Sequence, residues 1–238
     1  MKERLFRFKQ FAVNHKESAM KVGVDAVLLG AWVEPNGARR VLDIGTGCGV
    51  IALAIAQRFP GALIDAIDVD TPSIKEATEN FLNSPWSNRM KAYEADFSEF
   101  KTDCCRYDLI VSNPPFFESG VDSGQNARTR ARHVGTLSPY SILESCKYLL
   151  NPEGRVAMIV PAESEQRLIE TATNNGLALR RIARVFGAWT DAPKRLMLEF
   201  ILSQSNLTAI EETLHIHDPQ GNYTEEYKNL TKDYYIIF

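Results

Sequence analysis

The segment Val41–Leu53 places a short apolar run before a glycine-rich turn and a second apolar run after it. Three glycines alternate in that turn, at Gly45, Gly47 and Gly49. Glycine is needed where a backbone turns with positive φ or approaches a ligand closely. The first run, about residues 40–44, has strand length, and residues 50–59 carry apolar side chains on nearly every face. The segment therefore predicts a strand, a glycine turn and a buried helix.

The rest of the chain alternates strand and helix patterns, which favours an α/β fold with a mostly parallel sheet. Further strands are predicted at 62–68, 90–96, 107–113 and 153–161, and helices from Thr71-Pro72 to 83, at 138–150 and at 162–176. Thr71 is expected to be the N-cap, with Pro72 at the first helical position. Residues 178–187 and 195–203 lack an intervening helix, which predicts an antiparallel hairpin at one edge. Residues 207–218 are read as a strand, 223–235 as a helix, and 1–34 as a helix-rich or irregular preface.

Bulk properties limit the class of protein. The 238 residues, 45% of them hydrophobic, suit a single domain spanning 1–238. The net charge of −3 means that nucleic-acid binding would need a local basic patch. The four cysteines show neither CxxC nor zinc spacing, so we expect free thiols and no metal. The chain contains no signal-like N-terminus and no apolar run of membrane-spanning length, and the expected location is cytoplasmic.

Three acids end three successive predicted strands, at Asp43, Asp68 and Asp96. A dinucleotide turn aims a helix N-terminus at pyrophosphate, whereas this turn is preceded by an acid. S-adenosylmethionine has no phosphate, but its amino group and sulfonium complement a carboxylate. We assign that role to Asp43, the ribose hydroxyls to Asp68, and the adenine amino group to Asp96 with the Phe97 backbone N–H. The pattern predicts an S-adenosylmethionine site.

The segment Ser112–Phe116, sequence SNPPF, follows the fourth predicted strand. An amino group conjugated to a purine is a poor nucleophile, because its lone pair is delocalised. The Asn113 side-chain carbonyl and the Pro114 backbone carbonyl can accept its two N–H groups and localise the lone pair. Pro114 and Pro115 stiffen the turn, and Phe116 offers a ring face to a flipped base. No general base is needed, because the product ammonium loses its proton readily.

These motifs together resemble the class I Rossmann-like methyltransferases that methylate amino groups, over about residues 20–205. That resemblance implies a seven-stranded mostly parallel sheet with an antiparallel edge hairpin and helices on both faces. Closer likenesses, in residues 8–32, 83–86 and 217–230, resemble the bacterial tRNA1(Val) adenine-37 N6-methyltransferase family. The family implies N6-methylation of the adenine beside the anticodon. Residues 1–34 would then be a cofactor-covering extension and 205–238 a family-specific one.

The family's site residues carry over onto matching positions of this chain. Its N-terminal motif, matched by Lys21, Val22, Gly23, Asp25 and Leu28, closes over the methionine end of the cofactor. The implied cofactor set is Lys21, Gly23, Asp25, Asp43, Gly45, Gly47, Gly49, Asp68, Val69, Asp96, Phe97 and Asn113, and the catalytic set is Asn113, Pro114, Pro115 and Phe116. One departure is Phe116, where the family often has Tyr. Stacking survives that change, whereas the hydroxyl is lost.

A basic run follows the SNPPF motif. Arg128, Arg130 and Arg132 alternate, with His133 beside them, and are predicted to bind RNA phosphates next to the flipped nucleotide. Other basic residues extend the predicted path: Lys2, Arg4, Arg7, Lys9, Arg180, Arg181, Arg184, Lys194 and Arg195.

Several functions remain open from the residues alone. Motifs of the NPPF type also occur in guanine-N2 rRNA methyltransferases, and NPP with an aromatic serves protein glutamine N5-methylation. A non-catalytic RNA-binding module with the same fold is a further alternative. The basic run favours nucleic acid over protein, and the intact Asp43, Asp68 and Asn113 argue against a non-catalytic module.

Overall fold

The computed structural model describes residues 5–18, 20–101, 106–116, 137–187, 192–203 and 208–238. Within these ranges the strands are β1 Leu5–Arg7, β2 Ala12–Asn14, β3 Arg40–Ile44, β4 Leu63–Asp68, β5 Met90–Glu94, β6 Tyr107–Ser112, β7 Leu150–Pro161, β8 Leu177–Phe186, β9 Arg195–Leu202 and β10 Ile210–His215. The α-helices are α1 Val24–Trp32, α2 Val50–Arg58, α3 Thr71–Leu82, α4 Pro139–Ser145, α5 Glu165–Asn174 and α6 Glu225–Thr231. Short 3-10 helices cover Ser87–Arg89, Cys146–Tyr148 and Ala162–Ser164. No helix in these ranges has both the length and the apolar character needed to cross a bilayer.

Eight strands form the central sheet in the order β10-β8-β9-β7-β6-β3-β4-β5. Every neighbouring pair is parallel except β7–β9 and β8–β9, so β9 alone runs against the others. This confirms the mostly parallel α/β sheet and the antiparallel β8–β9 pair. The sheet has one strand more than the predicted seven, because β10 pairs with β8 and covers the edge that the hairpin would otherwise expose.

Helices cover both faces of the sheet, and the strand periodicity explains how. Side chains of successive strand residues point to opposite faces. Val41 accordingly packs in one core cluster with residues of α1, α2 and α3, whereas Leu42 packs in the other with residues of α4 and α5. Both side chains are fully buried. The near-continuous apolar character of β3 and β6 therefore reflects strands that are covered on both sides.

The N-terminal preface is not helix-rich before residue 24. It contains an antiparallel hairpin of β1 and β2, because aromatic rings between and beside these short strands pack on distant residues. Phe8 stacks on Phe11 at 4.5 Å and on Tyr235 at 6.1 Å between ring centroids, and Phe11 meets Trp86 edge-on at 5.7 Å. Three-residue strands have too little periodicity to reveal such a hairpin in the sequence.

Two predicted helix boundaries also differ from those in the structure. The N-cap of α3 is Asp70, not Thr71, since the Asp70 carboxylate accepts the Ser73 N–H at 2.9 Å and Pro72 lies one position further inside the helix. The predicted helix over 138–150 ends earlier, and Pro152 lies inside β7. The pairing of β7 with β6 is irregular around Pro152, and a strand tolerates proline at such an irregularity.

Candidate active site

The glycine turn lies at the carboxyl edge of the sheet, between β3 and α2. Gly45, Gly47 and Gly49 have φ values of 69°, 55° and 82°, all in the left-handed region. The Gly45 and Thr46 N–H groups both donate to the Ile67 carbonyl, at 2.9 and 3.0 Å. The turn is thereby fixed to the end of β4, and each of the three glycines is required by its backbone conformation.

The space around the turn differs between two of the glycines. A Cβ built on Gly49 would lie 2.5 Å from Phe81 Cε1, so α3 packs directly against that position. A Cβ built on Gly47 would meet no atom of the described residues within 4 Å. Gly47 therefore borders an open volume, whereas Gly49 is needed for packing.

Asp43 lies beneath the turn and is fully buried. Its Oδ2 accepts the Thr46 hydroxyl at 2.7 Å and the Ala52 N–H at 3.2 Å. Its Oδ1 is buried and has no hydrogen-bond partner among the described residues. Burial raises the pKa of the Asp43 carboxyl to about 7, and the nearby Asp68 charge adds to the rise. A buried carboxylate oxygen without a donor suits the cationic group of a ligand.

Asp68 ends β4 directly beside the turn. Its Oδ2 accepts the Gly47 N–H at 2.9 Å, and its Oδ1 accepts the Asp70 N–H at 3.0 Å. Desolvation is the largest influence on its carboxyl and raises the pKa. Each carboxylate oxygen has a further lone pair, so the acid can still accept ligand hydroxyls while its position is fixed by backbone.

Asp96 follows β5, on the neighbouring strand. The Ala95 N–H donates to the Asp68 carbonyl at 2.9 Å, which places the two strand ends side by side. Asp96 Oδ1 accepts the Ser98 N–H and hydroxyl, both at 2.8 Å. Phe97 is buried. The structure thus brings Asp43, Asp68 and Asp96 to the ends of three adjacent strands, as predicted.

The SNPPF segment continues from β6, on the other side of β3. The Ser112 hydroxyl donates to the Ile44 carbonyl at 2.8 Å, which joins the end of β6 to the start of the glycine turn. Asn113 Oδ1 is buried, and none of the residues that the structure describes donates a hydrogen bond to it. Pro114 is buried, and Phe116 is half-buried. An unpartnered acceptor therefore lies next to the glycine turn, where an N–H donor of a second ligand can reach it.

The N-terminal segment is fixed to α3 through Glu76. Its two carboxylate oxygens accept the backbone N–H groups of Lys16, Glu17 and Ser18, at 2.6, 3.0 and 2.9 Å. These hydrogen bonds lower the pKa of Glu76, although desolvation acts in the opposite direction. Lys21 Nζ donates to the Lys16 and Ser18 carbonyls, so its ammonium closes this loop.

The remaining residues of the N-terminal motif lie at the start of α1. Gly23 is the N-cap, with extended backbone. Asp25, in the first turn, forms an ion pair of 2.8 Å with Arg195 at the start of β9. The structure therefore links Asp25 to the opposite half of the sheet.

Known proteins similar to this chain identify its family. The Methyltransferase small domain family matches residues 18–175. A tRNA1(Val) (adenine(37)-N6)-methyltransferase of Parabacteroides distasonis is 41% identical over 233 residues, covering 97% of each chain. One from Trichodesmium erythraeum is 43% identical over 237 residues, covering 98% of each chain. The chain belongs to this tRNA1(Val) (adenine(37)-N6)-methyltransferase family. Membership in a methyltransferase family implies S-adenosylmethionine as the methyl donor.

Solved structures of other methyltransferases share the fold of this family member. A predicted O-methyltransferase of Agrobacterium tumefaciens superposes with a TM-score of 0.67 at 17% identity, over 88% of this chain and 96% of its own. A TehB-like SAM-dependent methyltransferase of Corynebacterium glutamicum gives a TM-score of 0.51 at 21% identity, over 78% and 90%. These likenesses confirm the Rossmann-like methyltransferase fold.

Not every basic residue predicted to extend the RNA path lies near the site of this family member. Arg180 and Arg181 lie in the amino half of β8, where Arg180 pairs with Glu199 and Arg181 with Glu34 and Glu212. Arg184 pairs with Glu165 and Glu211. Arg195 lies at the carboxyl edge, with its guanidinium carbon 5.9 Å from the centroid of the Phe116 ring. Arg128, Arg130, Arg132 and His133 lie outside the described residues, as do Lys2 and Arg4.

Sequence reasoning missed Glu76 and Asn80, which fasten the N-terminal segment of this methyltransferase. Both are buried in α3, one turn apart, on an inner face that also buries Ser73, Ala77 and Phe81. Polar residues at helical spacing on a buried face were the available signal. Among the described residues, Cys48 and Cys146 are free thiols, and no group of His, Cys, Asp and Glu is arranged to hold a metal ion.

Proposed function

We propose that this chain transfers the methyl group of S-adenosylmethionine to N6 of adenine 37 in tRNA1(Val). One observation carries the chemistry: Asp43 Oδ1 and Asn113 Oδ1 are both buried at adjoining strand ends, and neither has a hydrogen-bond partner in the part of the chain that the structure describes. The strand pairing puts Ile44 opposite Ser112, so the two acceptors flank one point of the sheet edge. One acceptor suits a cationic cofactor group, and the other suits an N–H of the group to be methylated.

The residues present fit the proposed cofactor. Asp43 offers a buried oxygen to its amino group, Gly47 borders open space, and Asp68 is held for ribose hydroxyls by two backbone amides. The proposed set is Lys21, Gly23, Asp25, Asp43, Gly45, Gly47, Gly49, Asp68, Val69, Asp96, Phe97 and Asn113. Lys21 acts within it through the loop that its ammonium closes.

Catalysis follows from position rather than from proton transfer. When bound, the cofactor supplies an electrophilic methyl group on its sulfonium. Asn113 Oδ1 and the Pro114 carbonyl accept the two N6 hydrogens, so that the nitrogen lone pair is directed at the methyl group. Pro114 and Pro115 hold these carbonyls rigidly, and Phe116 stacks on the base. The methylated nitrogen then releases its extra proton to water.

Two alternative methyl acceptors have less support. A guanine N2 group and a glutamine amide both present N–H donors that Asn113 can accept. Relatives at about 40% identity over nearly the whole chain are named for adenine 37 of tRNA1(Val), which favours adenine. The substitution of Phe116 for Tyr keeps an aromatic ring for either purine.

A tRNA substrate also implies roles for residues outside the described site. Arg128, Arg130, Arg132 and His133 would bind phosphates of the anticodon loop. We treat 1–238 as a single methyltransferase domain, with 1–34 as a cofactor-covering extension and 205–238 as a family-specific extension. The location that fits a tRNA substrate is the cytoplasm.

Nucleoside analysis tests the proposal. Bulk tRNA lacking the modification, rRNA and a mixture of cellular proteins are incubated separately with the chain and tritiated S-adenosylmethionine. We expect label in N6-methyladenosine from the tRNA alone, and none when Asn113→Ala replaces the wild type. Label in N2-methylguanosine, or in protein only, would overturn the assignment.

A further inference from the structure

Arg195 connects two parts of the site that lie on different elements. Its Nε donates to Asp25 Oδ2 at 2.8 Å, and its Nη1 donates to the Lys194 carbonyl at 3.0 Å. Its guanidinium carbon lies over the Phe116 ring, 5.9 Å from the centroid. One side chain therefore contacts the first turn of α1 and the last described residue of the SNPPF segment.

We propose that Arg195 is a positioning residue that sets the Phe116 ring for the target base. A planar guanidinium is attracted to the face of an aromatic ring, and a ring has two faces. Arg195 backs one face of Phe116, and the base stacks on the other. The inference rests on the proposed function, because it assigns the partner of Phe116 during methyl transfer.

Asp25 is the second element of this arrangement. The arginine side chain is long and has several rotatable bonds, and a contact with an aromatic ring alone restrains them weakly. Asp25 fixes the Nε end, and the Lys194 carbonyl fixes Nη1, so the guanidinium plane is held at both sides. Because Asp25 belongs to the N-terminal segment proposed to cover the cofactor, the ring that holds the base is tied to that segment.

The position of Arg195 distinguishes it from the other arginines of this half of the sheet. In the strand register, Arg195 lies opposite Pro161 at the end of β7, and therefore at the carboxyl edge of the sheet. Arg184 lies close by on β8, paired with Leu196, but both of its terminal nitrogens are held by Glu165 and Glu211. Arg184 thus provides a matched control, since its replacement removes the same charge from the same region.

A ring-specific measurement tests the contact without using activity. 4-Fluorophenylalanine is introduced at position 116, and its fluorine resonance is recorded in the full chain. We expect Arg195→Gln and Asp25→Asn to move or broaden the resonance, and Arg184→Gln to leave it in place. A resonance that does not respond to Arg195→Gln would overturn the proposal.

Kinetics on unmodified tRNA test the role. Arg195→Gln is expected to lower kcat roughly three- to tenfold, the size of a lost guanidinium–ring contact together with its restraint. The salt dependence of KM should stay unchanged, since no phosphate contact is removed.

A double-mutant cycle separates positioning from an independent contribution. If Arg195 acts through the ring, adding Arg195→Gln to Phe116→Ala should lower kcat by less than about twofold further. Full multiplication of the two losses, or a flatter salt dependence of KM, would show a direct contact with RNA and overturn the proposal. Absence of methylation by the wild-type chain would instead contradict the proposed function, and the fluorine measurement would still decide the contact.

Discussion

The Asn80 carboxamide holds both backbone polar groups of Asn14. Asn80 Oδ1 accepts the Asn14 N–H at 2.8 Å, and Asn80 Nδ2 donates to the Asn14 carbonyl at 2.8 Å. The same Nδ2 donates to the Cys48 carbonyl, also at 2.8 Å, within the glycine turn. A single buried side chain therefore hydrogen-bonds to the β2 backbone as a neighbouring strand would, and it joins β2 to the glycine turn.

Replacing Asn80 should loosen both segments. Asn80→Ala leaves a buried N–H and two carbonyls without partners, and we expect a loss of about 2–4 kcal/mol in the free energy of unfolding. Urea denaturation of the ligand-free chain measures it. Thr78→Ala, an exposed position on the same helix, serves as the control and should change stability by less than about 0.5 kcal/mol. Equal effects at the two positions would contradict the role of Asn80.

Alanine substitutions at two glycines of the turn should have different effects on stability and on cofactor affinity. Gly49→Ala combines a left-handed φ of 82° with a Cβ 2.5 Å from Phe81, and should cost about 2–5 kcal/mol of stability. Gly47→Ala meets no neighbour and should cost about 1–2 kcal/mol. Its methyl group enters the open volume, so cofactor affinity should fall at least about tenfold. Denaturation and calorimetry, made on both variants, check this separation. Unimpaired cofactor binding by Gly47→Ala would place the cofactor elsewhere.

Cofactor binding should depend on pH through Asp43. The pKa of its carboxyl is raised to about 7 by burial, and only the ionised form attracts a cationic amino group. The dissociation constant should therefore rise up to about tenfold for each pH unit below 7. Calorimetry between about pH 5.5 and pH 8 measures this for the wild type and for Asp43→Asn. The variant should bind more weakly at the upper end and show no such slope. The same slope in both proteins would exclude Asp43 as the titrating group.

The stability of the ligand-free chain should show the opposite trend. A pKa raised in the folded state means that the folded chain retains a proton that the unfolded chain has lost. Stability is therefore expected to fall as pH rises from about 4 towards 7. Urea midpoints of the wild type and Asp43→Asn across this range check the sign, and the variant should lack this contribution.

Loss of the basic run should reduce RNA binding. Replacing Arg128, Arg130 and Arg132 with Gln removes up to three phosphate contacts. The slope of log affinity against log salt should then flatten by about 2. The control replaces three exposed lysines from outside that run, Lys75, Lys91 and Lys101. An unaltered slope in the arginine variant, or equal flattening in the control, would reject the predicted patch.

The central sheet was predictable because its strands are covered on both faces. Strands β3 and β6 appear within two residues of their predicted bounds, since burial along most of their length leaves a nearly continuous apolar run. The acids at the strand ends were predictable for the related reason that parallel strands share one carboxyl edge. A strand was predicted over 207–218, where the structure has β10, but its position at the sheet edge and its parallel pairing with β8 depend on contacts distant in sequence, which local patterns do not contain.

The polar connections around the site were not predictable in the same way. Glu76 and Asn80 act on residues about 60 positions away, and Arg195 on a residue 170 positions away. Nothing local marks such a partner, because a polar side chain within an amphipathic helix or at a strand end is ordinarily solvated. Only the fold shows that these side chains face backbone or ring atoms instead.

Replacing Asn113 should lower turnover more than cofactor affinity. Asn113→Ala removes the buried Oδ1 acceptor. We expect kcat to fall by at least about a hundredfold, which is the typical effect of removing one positioned hydrogen-bonding group from a reacting centre. Because Asn113 also belongs to the proposed cofactor set, cofactor affinity measured by calorimetry should fall as well, but by less than about tenfold. Turnover at wild-type rate would show that the acceptor lies elsewhere.

The most direct test of the account is to locate the methyl group in tRNA1(Val). An unmodified transcript is incubated with the chain and S-adenosylmethionine, digested with a nuclease, and its fragments are sequenced by mass spectrometry. We expect one added methyl group on the fragment containing adenine 37, recovered as N6-methyladenosine, and none on a transcript with guanine at that position. A methyl group on any other nucleotide, or equal methylation of the transcript with guanine 37, would contradict it.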